Sequence, residues 1–105
     1  MLVMDTRFSL DEEVRTEFAC YRNGQIALSL ISQDGEPWLD ATCSLPSPVA
    51  ADCVAIKNWS ENEGVPSILL RAGVIEGAPV AHVRSGFVAV PIYRLTRAAL
   101  AEVLP

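Results

Sequence analysis

The stretch VRTEFACYRNGQIALSLISQDGEPWLDATC, residues 14–43, decides the fold. VRTEFACY (14–21) alternates, with Val14, Thr16, Phe18 and Cys20 on one face, and QIALSLIS (25–32) alternates with Ile26, Leu28 and Leu30 on one face. Alternation of this kind is the signature of half-buried strands. A two-residue Asn23-Gly24 turn would pair Cys20 with Ala27 and set the apolar faces on opposite sides. A three-residue loop Arg22-Asn23-Gly24 pairs Cys20 with Ile26, Phe18 with Leu28 and Thr16 with Leu30. A one-residue slip flips every side chain, so the matched register wins. Gly24 supplies the left-handed residue that such a loop needs.

The next turn is expected at Asp34-Gly35, with Leu30 facing Leu39, Leu28 facing Ala41 and Ile26 facing Cys43. A three-stranded meander over residues 14–45 follows. Its other face carries Glu17, Tyr21, Ser29, Ile31, Trp38, Asp40 and Thr42, with Ile31 and Trp38 in direct pairing. That pair is more apolar than a solvated face needs: the C-terminal segment covers it, or it belongs to a binding surface.

Beyond the meander, LPSP (45–48) breaks the ladder and VAADCVAIK (49–57) resumes a strand with Val54 and Ile56 inward. GVPSILLRAGVI has helical spacing at Val65, Ile68, Leu69 and Ala72, with Pro66 in the first turn and Gly73 at the stop. VAHVRSGFVAVPIYRL (80–95) reads as two strands about Ser85-Gly86, Val83 facing Val88 and Ala81 facing Val90, with Pro91 at an edge or bulge. TRAALAEVLP closes the chain as a short helix capped by Thr96. The expected fold is α+β: one domain over residues 1–105, an antiparallel sheet of about five to six strands with an N-terminal meander, one central helix and a short C-terminal helix.

Composition limits the function classes. Net charge is −5: residues 1–63 hold eleven acids against Arg7, Arg15, Arg22 and Lys57, and residues 64–105 hold Glu76 and Glu102 against four arginines. A polyanion is repelled by the first part, so direct nucleic-acid binding is not expected, whereas a protein with a basic surface suits it. No apolar run approaches a membrane span and the N-terminus lacks signal-peptide character, so no membrane and a cytoplasmic location are expected. Cys20, Cys43 and Cys53 form no C-x-x-C pair and read as reduced core residues. His82 is the only histidine and stands in a strand with no motif beside it; no metal and no cofactor is expected. Asp11, Glu12 and Glu13 read as a solvated loop.

That leaves WSENEG, residues 59–64. Ser60 and Glu63 have capping-box spacing, and Asn62 is an alternative N-cap for the helix. Glu61 and Glu63 favour its positive end by about 0.3–1 kcal/mol each. Gly64 relieves the corner and Trp59 packs on the helix. The alternative reading is an interaction surface formed by Trp59, Glu61, Asn62 and Glu63, with Trp38 and Ile31 as an apolar anchor.

VAIKNWSENEG, the short helix ending AGVIE, VRSGFVAVPIYRL and the earlier YRNGQIALSLISQDGEPW together resemble a small bacterial family, domain of unknown function 4313, over roughly residues 14–95. Pro66 and the terminal TRAALAEVLP depart from that pattern. The resemblance implies no activity. It implies a context: small accessory proteins of mobile genetic elements and phages, whose genes often encode antagonists of host defence, of anti-CRISPR or anti-restriction type. The expected function is a non-enzymatic protein-binding accessory that inhibits a host defence complex. The alternative is a self-associating accessory, a homodimer through the Ile31–Trp38 face. An enzyme, the third class, needs chemistry at His82, Cys43 or Cys53.

Overall fold

The computed structural model describes residues 1–5 and 12–103, the side chain of Glu61 excepted; Asp11 lies outside the described residues. β1 (Leu2–Asp5), β2 (Glu12–Cys20), β3 (Ile26–Ser32) and β4 (Pro37–Asp40) form one antiparallel sheet in that order. β2 and β3 pair in the register that matched apolar faces demand: Cys20 opposite Ile26, Phe18 opposite Leu28, Thr16 opposite Leu30. Residues 22–24 close this hairpin, with Gly24 at φ 89° and its N–H donating to the Tyr21 carbonyl at 2.9 Å.

The second hairpin departs from expectation in an instructive way. Its loop has three residues, 33–35, because Ser32 N–H donates to the Glu36 carbonyl (2.8 Å) and Gly35 N–H to that of Ser32 (3.0 Å). That loop alone would slip the register by one, but a bulge between Leu30 and Ile31 restores Leu30 opposite Leu39 and Ser29 opposite Asp40. Ile31 therefore pairs with Pro37, and the expected Ile31–Trp38 pair does not form. A bulge lets two successive side chains turn to one face, and Trp38 and Leu39 both pack against the main core.

At Ala41 the chain changes partners. Its N–H donates to the Leu28 carbonyl (2.9 Å), while its own carbonyl accepts from Lys57 N–H (2.8 Å). Cys43 N–H then donates to Ala55 (3.1 Å), and Thr42 bridges Ile56. Leu28 N–H, left without the Ala41 carbonyl, donates to the Thr42 hydroxyl at 3.0 Å. Thr42 thus joins the first sheet to a second one, β5 (Cys53–Ala55), β7 (Val88–Arg94) and β6 (Ala81–Ser85), ordered β5-β7-β6.

The fold class is α+β, but the strands number seven among the described residues, in sheets of four and three rather than one sheet of five to six. β1 escapes sequence reading because its inward positions are Val3 and Asp5, so the apolar alternation fails. The expected strand over residues 49–57 shrinks to β5, since Cys53 N–H closes a turn on the Ala50 carbonyl (3.0 Å). The β6–β7 turn lies at Gly86-Phe87, so Val83 faces Val90 rather than Val88; the displacement of two residues keeps every face. Pro91 sits in the central strand, where its missing N–H would face Ile56, just past the end of β5. Its carbonyl still accepts from Ile56 N–H (3.1 Å).

The main core gathers Val14, Leu28, Leu30, Ile56, Leu69 and Leu95, all essentially inaccessible, beneath α1 (Val65–Arg71) and α2 (Arg97–Val103). α1 ends as its sequence predicts: Val74 N–H reaches the Leu69 carbonyl (2.9 Å) and Gly73 N–H that of Leu70 (3.1 Å). Thr96 caps α2 through Ala99 N–H (3.2 Å), and its hydroxyl donates to the Gly73 carbonyl (2.6 Å). A smaller apolar cluster, Leu45, Cys53, Ala55, Val90 and Ile92, lies on the opposite face of the second sheet.

Candidate functional site

The polar corner between β5 and α1 is built by its backbone. Trp59 is half-buried and packs on the smaller cluster, not on the helix that it introduces. Ser60 then takes a left-handed φ of 56°, the one such non-glycine among the described residues, and starts a 3-10 turn, Ser60–Asn62. Asn62 N–H donates to the Trp59 carbonyl (3.0 Å) and Glu63 N–H to that of Ser60 (3.1 Å). The expected capping box is not made. The residue before α1 is Gly64, at φ 89°, and no side chain caps the helix. Neither Ser60 with Glu63 nor Asn62 serves as cap because the turn aims them elsewhere.

Asn62 is 4% exposed, and its Nδ2 donates to the Asp40 carbonyl at 2.8 Å, tying the corner to β4. Glu63 is exposed. Glu61 belongs to the turn by its backbone, and its side chain lies outside the described set. Of the corner residues, Trp59 and Asn62 brace the fold while Glu63 faces solvent.

The other two candidates lie along the first sheet. Ile31 is 8% exposed, between Arg15 and Pro37. Trp38 is half-buried, and its Nε1–H donates to Asp5 Oδ2 at 2.7 Å. Asp5 is fully buried. Trp38 also lines an open groove of about 790 Å³ with Met4, Glu12, Glu13, Asp34, Glu36 and Pro37. The described lining contains four carboxylates and no arginine or lysine. The Ser32 hydroxyl, with help from Glu36 N–H, holds the Asp34 carboxyl below its ordinary range, so that acid stays charged. Trp38 stands at the start of β4 and Asp40, the anchor for Asn62, at its end. Groove and corner therefore flank one short strand, roughly 7 Å of chain between those two residues.

Thiol and imidazole are kept apart. Cys53 shares a sheet face with Ala55 and Ile92, and Cys43 packs on the same cluster. His82 pairs with Pro91, on the face that carries Tyr93 and Val54. The second sheet thus separates the histidine from both cysteines. Burial raises the Cys43 and Cys53 thiols above their ordinary value, Asp52 adding to the effect at Cys53. Among the described residues no cluster of His, Cys, Asp and Glu could hold a metal ion, and no helix is long and apolar enough to cross a membrane.

Sequence reasoning missed two features. The groove acids come from β2 and the 33–36 turn, and only the three-residue loop and bulge bring them beside Trp38. Phe87, wholly exposed, emerges as a turn residue only once the β6–β7 register is known; a Gly-X pair between alternating strands is the signal. Comparison with family models, with curated proteins and with solved structures finds no match.

Proposed function

We propose that the chain is a non-enzymatic protein-binding accessory of a mobile genetic element or phage, acting in the cytoplasm to inhibit a host defence complex of anti-CRISPR or anti-restriction type. The mode is occupation of a basic surface on that complex by the acidic side of the first sheet. One observation carries this reading: Glu12, Glu13, Asp34 and Glu36 surround the half-buried Trp38 in an open groove whose described lining holds no cation. Carboxylates around an aromatic anchor suit a basic groove evolved for a polyanion. The exposed Glu63 adds charge beyond the other end of β4. The mobile-element context rests on the sequence resemblance alone. A homodimer through Ile31 and Trp38 has less support, since Ile31 is buried and pairs with Pro37, so the two do not form one apolar patch.

Affinity purification of the tagged chain from a nuclease-treated host lysate tests the reading. Recovery of a stoichiometric, nucleic-acid-binding defence complex supports it. Recovery of the chain alone, or only with itself, overturns it.

A further inference from the structure

β6 is the outermost strand of its sheet, and the element it packs against is β7. The ladder fixes which of its backbone groups are spent. Ile56 N–H donates to the Pro91 carbonyl, so Pro91 and Tyr93 aim their polar groups at β5 and its extension. Val88, Val90 and Ile92 therefore aim theirs at β6, engaging Ser85, Val83 and Ala81. The N–H and C=O of His82 and Arg84 point outward from the sheet. No proline interrupts Ala81–Ser85. Proteins usually cover, break or charge such an edge.

The side chains along this edge divide by face. His82 and Arg84 are exposed on one side, and Arg84 has no ion-pair partner among the described residues. Val83 is half-buried on the other, with Phe87 fully exposed at the adjoining turn. Arg84 is the one charged residue of Ala81–Ser85, and it carries no counter-charge among the described residues, whereas Arg94 on the neighbouring strand is already paired with Asp52 (3.4 Å).

We propose that the outer edge of β6 is a strand-addition site that takes an extended, acidic segment of a partner protein. The incoming backbone bonds to His82 and Arg84. Its carboxylates lie beside Arg84 on one face, and its alternate apolar side chains reach Val83 and Phe87 on the other. Charge chooses this occupant over a second copy of the chain: two-fold pairing about Val83 would set His82 directly opposite Arg84 of the other copy, with no acid to meet either. The site is separate from the acidic groove and requires no basic partner.

The test uses the full chain, isotopically labelled, and a blocked peptide of alternating glutamate and valine, followed by NMR. Saturable shifts centred on β6 and Phe87 are expected, with slowed amide exchange at His82 and Arg84. The lysine–valine analogue and the Arg84→Glu variant should each bind roughly tenfold more weakly or worse. Methylating alternate peptide nitrogens, or Arg84→Pro in a chain whose spectrum shows it folded, should abolish binding. No saturable shift at millimolar peptide, shifts centred elsewhere, or equal binding of the lysine analogue overturns the proposal. A concentration-dependent doubling of mass that Arg84→Pro removes also overturns it, by giving the edge to a second copy.

Discussion

Thr42→Val removes one hydroxyl from the joint between the two sheets and keeps the shape of the side chain. Thr42 is 1% exposed; its hydroxyl accepts from Leu28 N–H (3.0 Å) and shares a hydrogen bond with the Tyr21 phenol (3.0 Å). Leu28 is wholly buried, so its N–H has no route to water. Leaving that donor unpaired costs about 1–3 kcal/mol, and losing the Tyr21 bond about 0.5–1.5 kcal/mol. The added methyl returns roughly 0.8 kcal/mol. The net loss is then about 1–4 kcal/mol, centred near 2, which at an m-value of roughly 1.5 kcal/mol/M moves the urea midpoint down by about 0.5–2.5 M. Thr42→Ser keeps the hydroxyl and loses a buried methyl, for about 1 kcal/mol. Urea titrations followed by tryptophan fluorescence should rank wild type above Ser and Ser above Val. If Val matches wild type, or outranks Ser, the hydroxyl is not the acceptor that allows Ala41 to change partners.

Other expectations concern the corner, the turn and the thiols. Asn62→Ala, which frees the Asp40 carbonyl, should cost about 1–2 kcal/mol in thermal or urea unfolding, while Glu63→Lys stays within about 0.5 kcal/mol. Ser60→Gly should raise stability by up to about 1 kcal/mol, because its left-handed φ of 56° strains a side-chain-bearing residue; a loss would show that the Ser60 side chain supports the turn. The lowered Asp34 pKa gives the 32–36 turn an order that is present above the unfolded value near 3.8 and is lost as pH falls through the folded value. An NMR titration of the Asp34 carboxyl should show this, and Ser32→Ala should move the midpoint back up. Cys20 is exposed whereas burial holds Cys43 and Cys53 protonated; a disulfide reagent at pH 8 should therefore label Cys20 first, and equal rates would contradict the placement of the other two.

The parts of the fold legible in the sequence are those in which one pattern has one solution. The 22–24 loop follows because only one register matches the faces of VRTEFAC and IALSLIS. α1 and its ending follow from Val65, Ile68, Leu69 and Gly73. The 33–36 turn was not legible, because a two-residue loop and a three-residue loop with a bulge give the same Leu30–Leu39 pair. That ambiguity hid the true place of Trp38 and, with it, the groove. β1 was hidden because its inward Asp5 is satisfied by Trp38, a partner far away in the chain. At the corner, composition offered a capping box, but the left-handed Ser60 and Gly64 supply the bend, and Asn62 is drawn to the Asp40 carbonyl instead.

The most direct test of the acidic-face account repeats the purification from nuclease-treated lysate with three chains side by side: wild type, Glu61→Lys/Glu63→Lys and Glu13→Lys/Glu36→Lys, each first shown to melt near the wild-type temperature. The account predicts a stoichiometric complex with wild type and its loss with Glu13→Lys/Glu36→Lys, the Glu61→Lys/Glu63→Lys pair weakening it to the extent that the corner takes part. Retention of the same partner by Glu13→Lys/Glu36→Lys would contradict it.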